Sequence, residues 1–360
     1  MVTRKARNAN VELLRIVSML FIIMHHCVIN GYGLQEQLKS EIVNGGGYSI
    51  FLCVLNAIVV IGVNVFFLIS GYYGIHFSLK KLCALVINLY FYADILTLLA
   101  VATGKERMGF ATIKLLILPF YKYWFIIVYI LLFILSPILN AGIDALNKVQ
   151  SISLTVFFTV FFCCLGFVSE ATFISLNDGY SLMFAMYLYF IGRMMNKWEI
   201  CKKSQKGQIF SWLVSSLITA VACAGLIYLR KHQFAWKMFS YNQLFIVLAA
   251  VNFVWIFLNL PQRDDGGKCQ VIAAHILPVY YIHTCTVFSF YRNLPLKWAA
   301  GNVAMVWQLP ILVLYAVLIF SVCVVIDKIK CTILGNLELK LTNGLAEKIQ
   351  MMTSKITKTA

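Results

Sequence analysis

Runs of about twenty apolar residues recur from one end of the 360-residue chain to the other, and no other feature constrains its fold as strongly. A run of that length spans the hydrocarbon of a bilayer as a helix, because only a helix satisfies every backbone N–H and C=O within the segment. Ten such spans are predicted, over 9–30, 50–73, 82–102, 121–140, 152–169, 180–196, 209–229, 241–260, 271–290 and 303–326. The expected fold is therefore all-α, a polytopic membrane helix bundle of about ten transmembrane helices. An even number of spans puts both ends of the chain on one side. With the N-terminus inside, the cytoplasmic segments hold eighteen lysines and arginines and the outer ones ten, which favours N-in/C-in. Residues 103–123 are read as connecting chain with room for a short interfacial helix.

Composition removes several functions. At 61% hydrophobic and 12% charged, the chain leaves no soluble stretch large enough for a separate catalytic domain, so any chemistry occurs among the helices. The net charge of +16 fits loops held against anionic lipid headgroups, not nucleic acid, since no basic face interleaves with aromatics. The basic preface Arg4, Lys5 and Arg7 precedes a span with no small-residue cleavage site, so that span is read as uncleaved. The eleven cysteines are scattered without a Cys-x-x-Cys pair, so neither a metal site nor a disulfide framework is expected. Beyond residue 330, Leu334, Leu337, Leu341, Leu345, Ile349, Met352 and Ile356 recur every three or four positions. Two readings of 331–360 are open: a cytoplasmic amphipathic tail lying on membrane lipids, or a loosely ordered tail.

The first span carries Glu12, Arg15, His25 and His26, and ionisable groups are costly inside a membrane. Arg15 and His26 are eleven positions apart, about three turns plus 20°, so they share one helix face about 16 Å apart. Glu12, three positions before Arg15, is placed to pair with it. His25 points roughly 80° away from that face. One helix thus presents an anion-binding cation near one surface and a titratable imidazole near the other.

The motifs Asn10-x-Glu12-Leu13-Leu14-Arg15…His26, Phe66-Phe67-x-Ile69-Ser70-Gly71-Tyr72, Tyr123-Trp124-Phe125-Ile126…Asn140 and Val279-Tyr280-Tyr281-Ile282-His283 occur in that order. In this the chain resembles the acyltransferase 3 family of integral membrane acyltransferases, over nearly its whole length. The resemblance implies a transmembrane acyltransferase domain over 1–330. It implies transfer of an acyl group, usually acetyl, from cytoplasmic acetyl-coenzyme A to a hydroxyl of a cell-envelope polysaccharide or its lipid-linked precursor. The setting it implies is a bacterial inner membrane, with no metal. A different acyl group such as succinyl, another acceptor, or a transporter are the alternatives. A transporter would also place Arg and His in a helix core, but no internal repeat supports one.

Thioester chemistry needs an anion site for the coenzyme phosphates, a base for the acceptor hydroxyl and donors for the oxyanion. Arg15 suits the first or the third, His26 the second, and Glu12 orients or partly neutralises Arg15. Two readings of Ser70-Gly71-Tyr72 are open: two hydroxyls at the cofactor entrance with a close backbone approach at Gly71, or a helix end with Tyr72 in the aromatic belt. The family often has arginines after the Ser-Gly-Tyr helix; this chain has Lys80 and Lys81, which keep the charge without the bidentate fork and are read either as cofactor-binding or as ordinary positive-inside charges. Tyr123 and Trp124 serve either to stack on a sugar ring or to anchor a helix in the aromatic belt. His283 is read as an acceptor-side residue or a second proton acceptor, with a bonded core histidine as the other reading. His25, His76, His232 and His275 are given no catalytic role.

Overall fold

The computed structural model describes residues 8–39, 47–119, 122–168 and 177–359. The basic preface at Arg4, Lys5 and Arg7 lies outside the described residues. Among those described, the chain is all helix and turn with no strand. Among the described residues, each of the ten expected spans contains helix. Seven helices among the described residues are long and apolar enough to cross a membrane: Ala9–Gly31, Gly47–Tyr73, Leu79–Ala102, Trp124–Asp144, Lys148–Val168, Gln205–Tyr228 and Met305–Ile356. The other three expected spans are shorter. Leu182–Trp198 has 17 residues and Leu244–Leu258 has 15. The span expected at 271–290 is broken into Lys268–Ala273, Ile276–Thr284 and the start of Thr286–Asn302. A short helix, Phe110–Ile117, occupies the 103–123 connection, with Phe110, Ile113 and Ile117 exposed.

The first helix lies at the centre of the bundle. Asn8 caps it, its side chain accepting from the Asn10 N–H, and Glu12 in the first turn complements the positive helix end. Asn10 Nδ2 donates to the carbonyls of Leu260 and Pro261, both at 3.0 Å, so the start of the first helix is tied to the end of Leu244–Leu258. Further along, Phe21 packs on Phe253, with ring centroids 5.2 Å apart. His25 Nδ1 lies 2.6 Å from Asn56 Oδ1, fixing the helix to Gly47–Val59. The helix closes with a π-helical turn, Cys27–Gly31, beginning at the residue after His26. Such wide turns concentrate at functional sites.

Gly71, from the Ser-Gly-Tyr motif, makes the tightest crossing. A Cβ there would stand 2.1 Å from the Tyr189 carbonyl oxygen, and one at Gly192 would stand 2.2 Å from that of Leu68. Gly71 therefore lets Gly62–Tyr73 meet Leu182–Trp198 backbone to backbone, and it serves helix packing. Overpacking at such a contact costs about 1–3 kcal/mol. Gly71→Ala is expected to lower the thermal unfolding temperature in detergent. Gly225→Ala, where a Cβ meets open space, should leave it unchanged or raise it. Equal effects of the two would mean that the crossing does not limit stability.

The last helix runs from Met305 to Thr359 without a break, 55 residues, so the amphipathic segment after 330 continues the final span. Buried Asp327 fastens this helix to the bundle, accepting from the Tyr92 hydroxyl and lying 2.5 Å from His275 Nδ1. Next to it, Glu338 accepts from Asn88 Nδ2 and from Lys330 Nζ, each at 2.6 Å.

Candidate active site

Arg15, Met19, Ile22 and His26 follow one another at intervals of four, three and four along the first helix, so all four face the same way. Together they form one wall of a cavity of about 580 Å³. Val63, Phe66 and Ser70 form the second wall, at the same kind of interval, and Ala274, Leu277, Tyr280 and Thr284 the third. Trp124, Phe125 and Tyr129 close it. The cavity is a lengthwise slot with an apolar middle. Arg15 and Ser70 stand towards one end, and His26, Lys122 and Thr284 towards the other.

At the Arg15 end, Arg15 Nη1 donates to both carboxylate oxygens of Glu12, at 3.2 and 3.3 Å. The Glu12 side chain is almost fully buried and that of Arg15 is about a third exposed (3% and 31%), so the guanidinium keeps surface towards the slot. Lys81 lines a second cavity of about 400 Å³, with Asn88, Asp327, Lys330 and Glu338. Leu85, Tyr129, Ala274 and Leu277 line both cavities, which therefore adjoin. Lys80 is exposed at the start of Leu79–Ala102 and lines neither.

At the other end, His26 Nδ1 lies 3.2 Å from His283 Nε2, with the two ring planes 28° from parallel and the centroids 5.2 Å apart. His283 Nδ1 lies 2.7 Å from the Val279 carbonyl oxygen. Arg292, itself buried, donates from Nη1 to the His283 carbonyl at 2.8 Å. Lys122 Nζ donates to Glu106 Oε1 at 3.3 Å and to Thr286 Oγ1 at 3.1 Å. The Trp124 ring stacks on Tyr241, with centroids 5.9 Å apart, and lies 4.6 Å from Tyr180.

Arg15, Glu12, His26, Ser70 and Trp124 are thus gathered in or beside one slot. Besides Lys80, three expected site residues are placed elsewhere. Tyr72 does not share the slot with Ser70, because residues two apart on a helix point 200° apart. Its ring packs edge-on against Trp255 instead. Tyr123 is buried between Tyr280 and Tyr281, with centroids 6.1 and 5.2 Å away, and its hydroxyl has no partner among the described residues. Only its neighbour Trp124 reaches the slot. His283, expected on the acceptor side, has no exposed surface and stands behind His26, so the ring reaches His26 and not the slot. His25 faces Asn56 and is likewise outside. Two further cations, Lys122 and Arg292, belong to the site without any sequence signal. Both read locally as ordinary outer-loop charges, and nothing beside them marks them as inward-facing.

No group of three or more His, Cys, Asp or Glu side chains among the described residues is placed to hold a metal ion. The slot, with Arg15 at one end, His26 backed by His283 and Lys122 at the other, and an apolar middle, lies within a multi-pass membrane helix bundle. The family model for the acyltransferase domain matches residues 8–328, and the chain belongs to that family of acyltransferases. No curated protein and no solved structure matches it.

Proposed function

We propose that the chain moves an acetyl group from cytoplasmic acetyl-coenzyme A to a hydroxyl of a cell-envelope polysaccharide or its lipid-linked precursor, in a bacterial inner membrane. The observation that carries this reading is the slot joining Arg15 to His26, about 16 Å apart along one helix. That length is comparable to an extended pantetheine arm. Its apolar middle, formed by Met19, Ile22, Val63 and Leu277, suits the arm, and its charged end suits phosphates. The coenzyme phosphates would stay near Arg15 and Lys81. The thioester carbonyl would arrive near His26, and the Trp124 face would meet the sugar ring.

In the transfer, His26 accepts the proton of the acceptor hydroxyl as that oxygen attacks the thioester carbon. The tetrahedral intermediate collapses with cleavage of the C–S bond, and the leaving thiolate takes from His26 the proton that came from the acceptor hydroxyl. Lys122 is the cation on the His26 side of the slot, available to the developing oxyanion. The same lysine favours one second reading, a donor whose acyl group ends in a carboxylate, such as succinyl.

Purified protein in lipid nanodiscs should hydrolyse acetyl-coenzyme A or exchange its acyl group. A transporter would do neither, and that outcome would remove the reading. Neutralising Lys81 with Lys81→Gln should raise the KM for acetyl-coenzyme A several-fold with kcat little changed, the mark of lost uniform binding. Lys80→Gln should do less, since Lys80 lines neither cavity. A fall in kcat at constant KM in Lys81→Gln would move Lys81 out of coenzyme binding.

A further inference from the structure

The contacts behind His26 determine which of its two nitrogens can act. A neutral imidazole has one N–H donor and one lone-pair acceptor, and a carbonyl oxygen can only accept. His283 Nδ1 faces the Val279 carbonyl at 2.7 Å, so Nδ1 carries the proton and Nε2 the lone pair. That Nε2 faces His26 Nδ1 at 3.2 Å, so the His26 proton must sit on Nδ1. The lone pair of His26 is then on Nε2, the nitrogen not engaged by His283.

His283 is itself held in place. It lies in the last turn of Ile276–Thr284, where helix carbonyls lose their partners. Its carbonyl is taken by the buried Arg292, at 2.8 Å, and the main chain beyond turns into an extended Cys285. On the other side, the His26 carbonyl accepts from Asn30 Nδ2 at 3.2 Å, across the π-helical turn. Both imidazoles are therefore fastened through their backbones as well as their rings.

We infer that His283 is a positioning residue that fixes the His26 tautomer with Nε2 as the base, and that Arg292 fastens His283 for this task. The inference rests on the reading of His26 as the general base. It differs from the usual arrangement of a base held by a carboxylate, because the orienting group here is a second imidazole. A neutral acceptor sets the tautomer without a negative charge to pair with the imidazolium that forms on His26.

The test compares two substitutions at one position. His283→Leu removes the acceptor, and kcat for acetyl transfer should fall roughly tenfold to hundredfold with KM for acetyl-coenzyme A unchanged, since base catalysis as a whole contributes about 10²–10⁴. His283→Gln restores a carbonyl acceptor to His26 Nδ1 and should recover most of the loss. A merely structural role would raise KM and lower membrane yield together, and Gln would not rescue either. Independently, nitrogen NMR of histidine-labelled protein should show a δ-protonated neutral imidazole whose signal disappears in His26→Ala. In His283→Leu that signal should move towards the ε-protonated form. Wild-type kcat in His283→Leu, or an ε-protonated His26 in the unmodified protein, overturns the inference. If His283→Leu fails to accumulate, the spectrum of the unmodified protein decides alone. Full activity in His26→Ala would remove His26 as the base and the inference with it, whereas no hydrolysis or exchange of acetyl-coenzyme A by the unmodified protein would overturn the proposed function, so the two failures are distinguishable.

Discussion

His26→Ala should lower kcat for acetyl transfer by about 10²–10⁴ while leaving coenzyme affinity near normal, the magnitude of a lost general base. Its control is the adjacent histidine. His25→Ala removes the hydrogen bond to Asn56 and leaves a buried amide without its partner, so it should lower stability. It should leave kcat within a few-fold, because His25 does not line the slot. The pair separates chemistry from packing within a single dipeptide. If His25→Ala is the inactive variant and His26→Ala the active one, the base does not lie on the Arg15 face of the helix.

Arg15→Lys should also cause a large loss, of another kind. The guanidinium donates to both oxygens of a buried Glu12 and keeps part of its surface towards the slot. An ammonium keeps the charge but not the planar fork suited to phosphate. A hydrogen bond to a charged group contributes about 1.5–3 kcal/mol, so kcat/KM for acetyl-coenzyme A should fall roughly tenfold to hundredfold, mainly through affinity. The protein should still reach the membrane, which immunoblotting of membrane fractions checks. Coenzyme binding, measured directly by calorimetry in both variants, assigns the roles. An affinity that survives Arg15→Lys and collapses in His26→Ala would reverse them.

Both substitutions fall on a stripe that is legible in the order of residues alone. The alignment of Arg15 with His26 and the divergence of His25 follow from 100° per residue, which holds for any helix wherever it packs. The Glu12–Arg15 pair follows from a spacing of three. The same periodicity puts Ser70 and Tyr72 on opposite sides of their helix, so only one of the two can face the slot. The close approach at Gly71 is also readable from the motif, but its partner is not: the Tyr189 backbone lies more than a hundred residues away.

The sequence by itself determined that the chain is a membrane helix bundle, because twenty-residue apolar runs have one way to satisfy their backbone in hydrocarbon. It also determined which face of the first helix carries the charged and titratable groups. Only the tertiary structure decided what stands behind that face. His26 and His283 are 257 positions apart, and Arg292 and Lys122 reach the site from segments that read locally as outer loops. Contacts of that range depend on how helices pack, through the glycine crossing at Gly71 and the broken helix whose last turn carries His283. No periodicity within one helix records them.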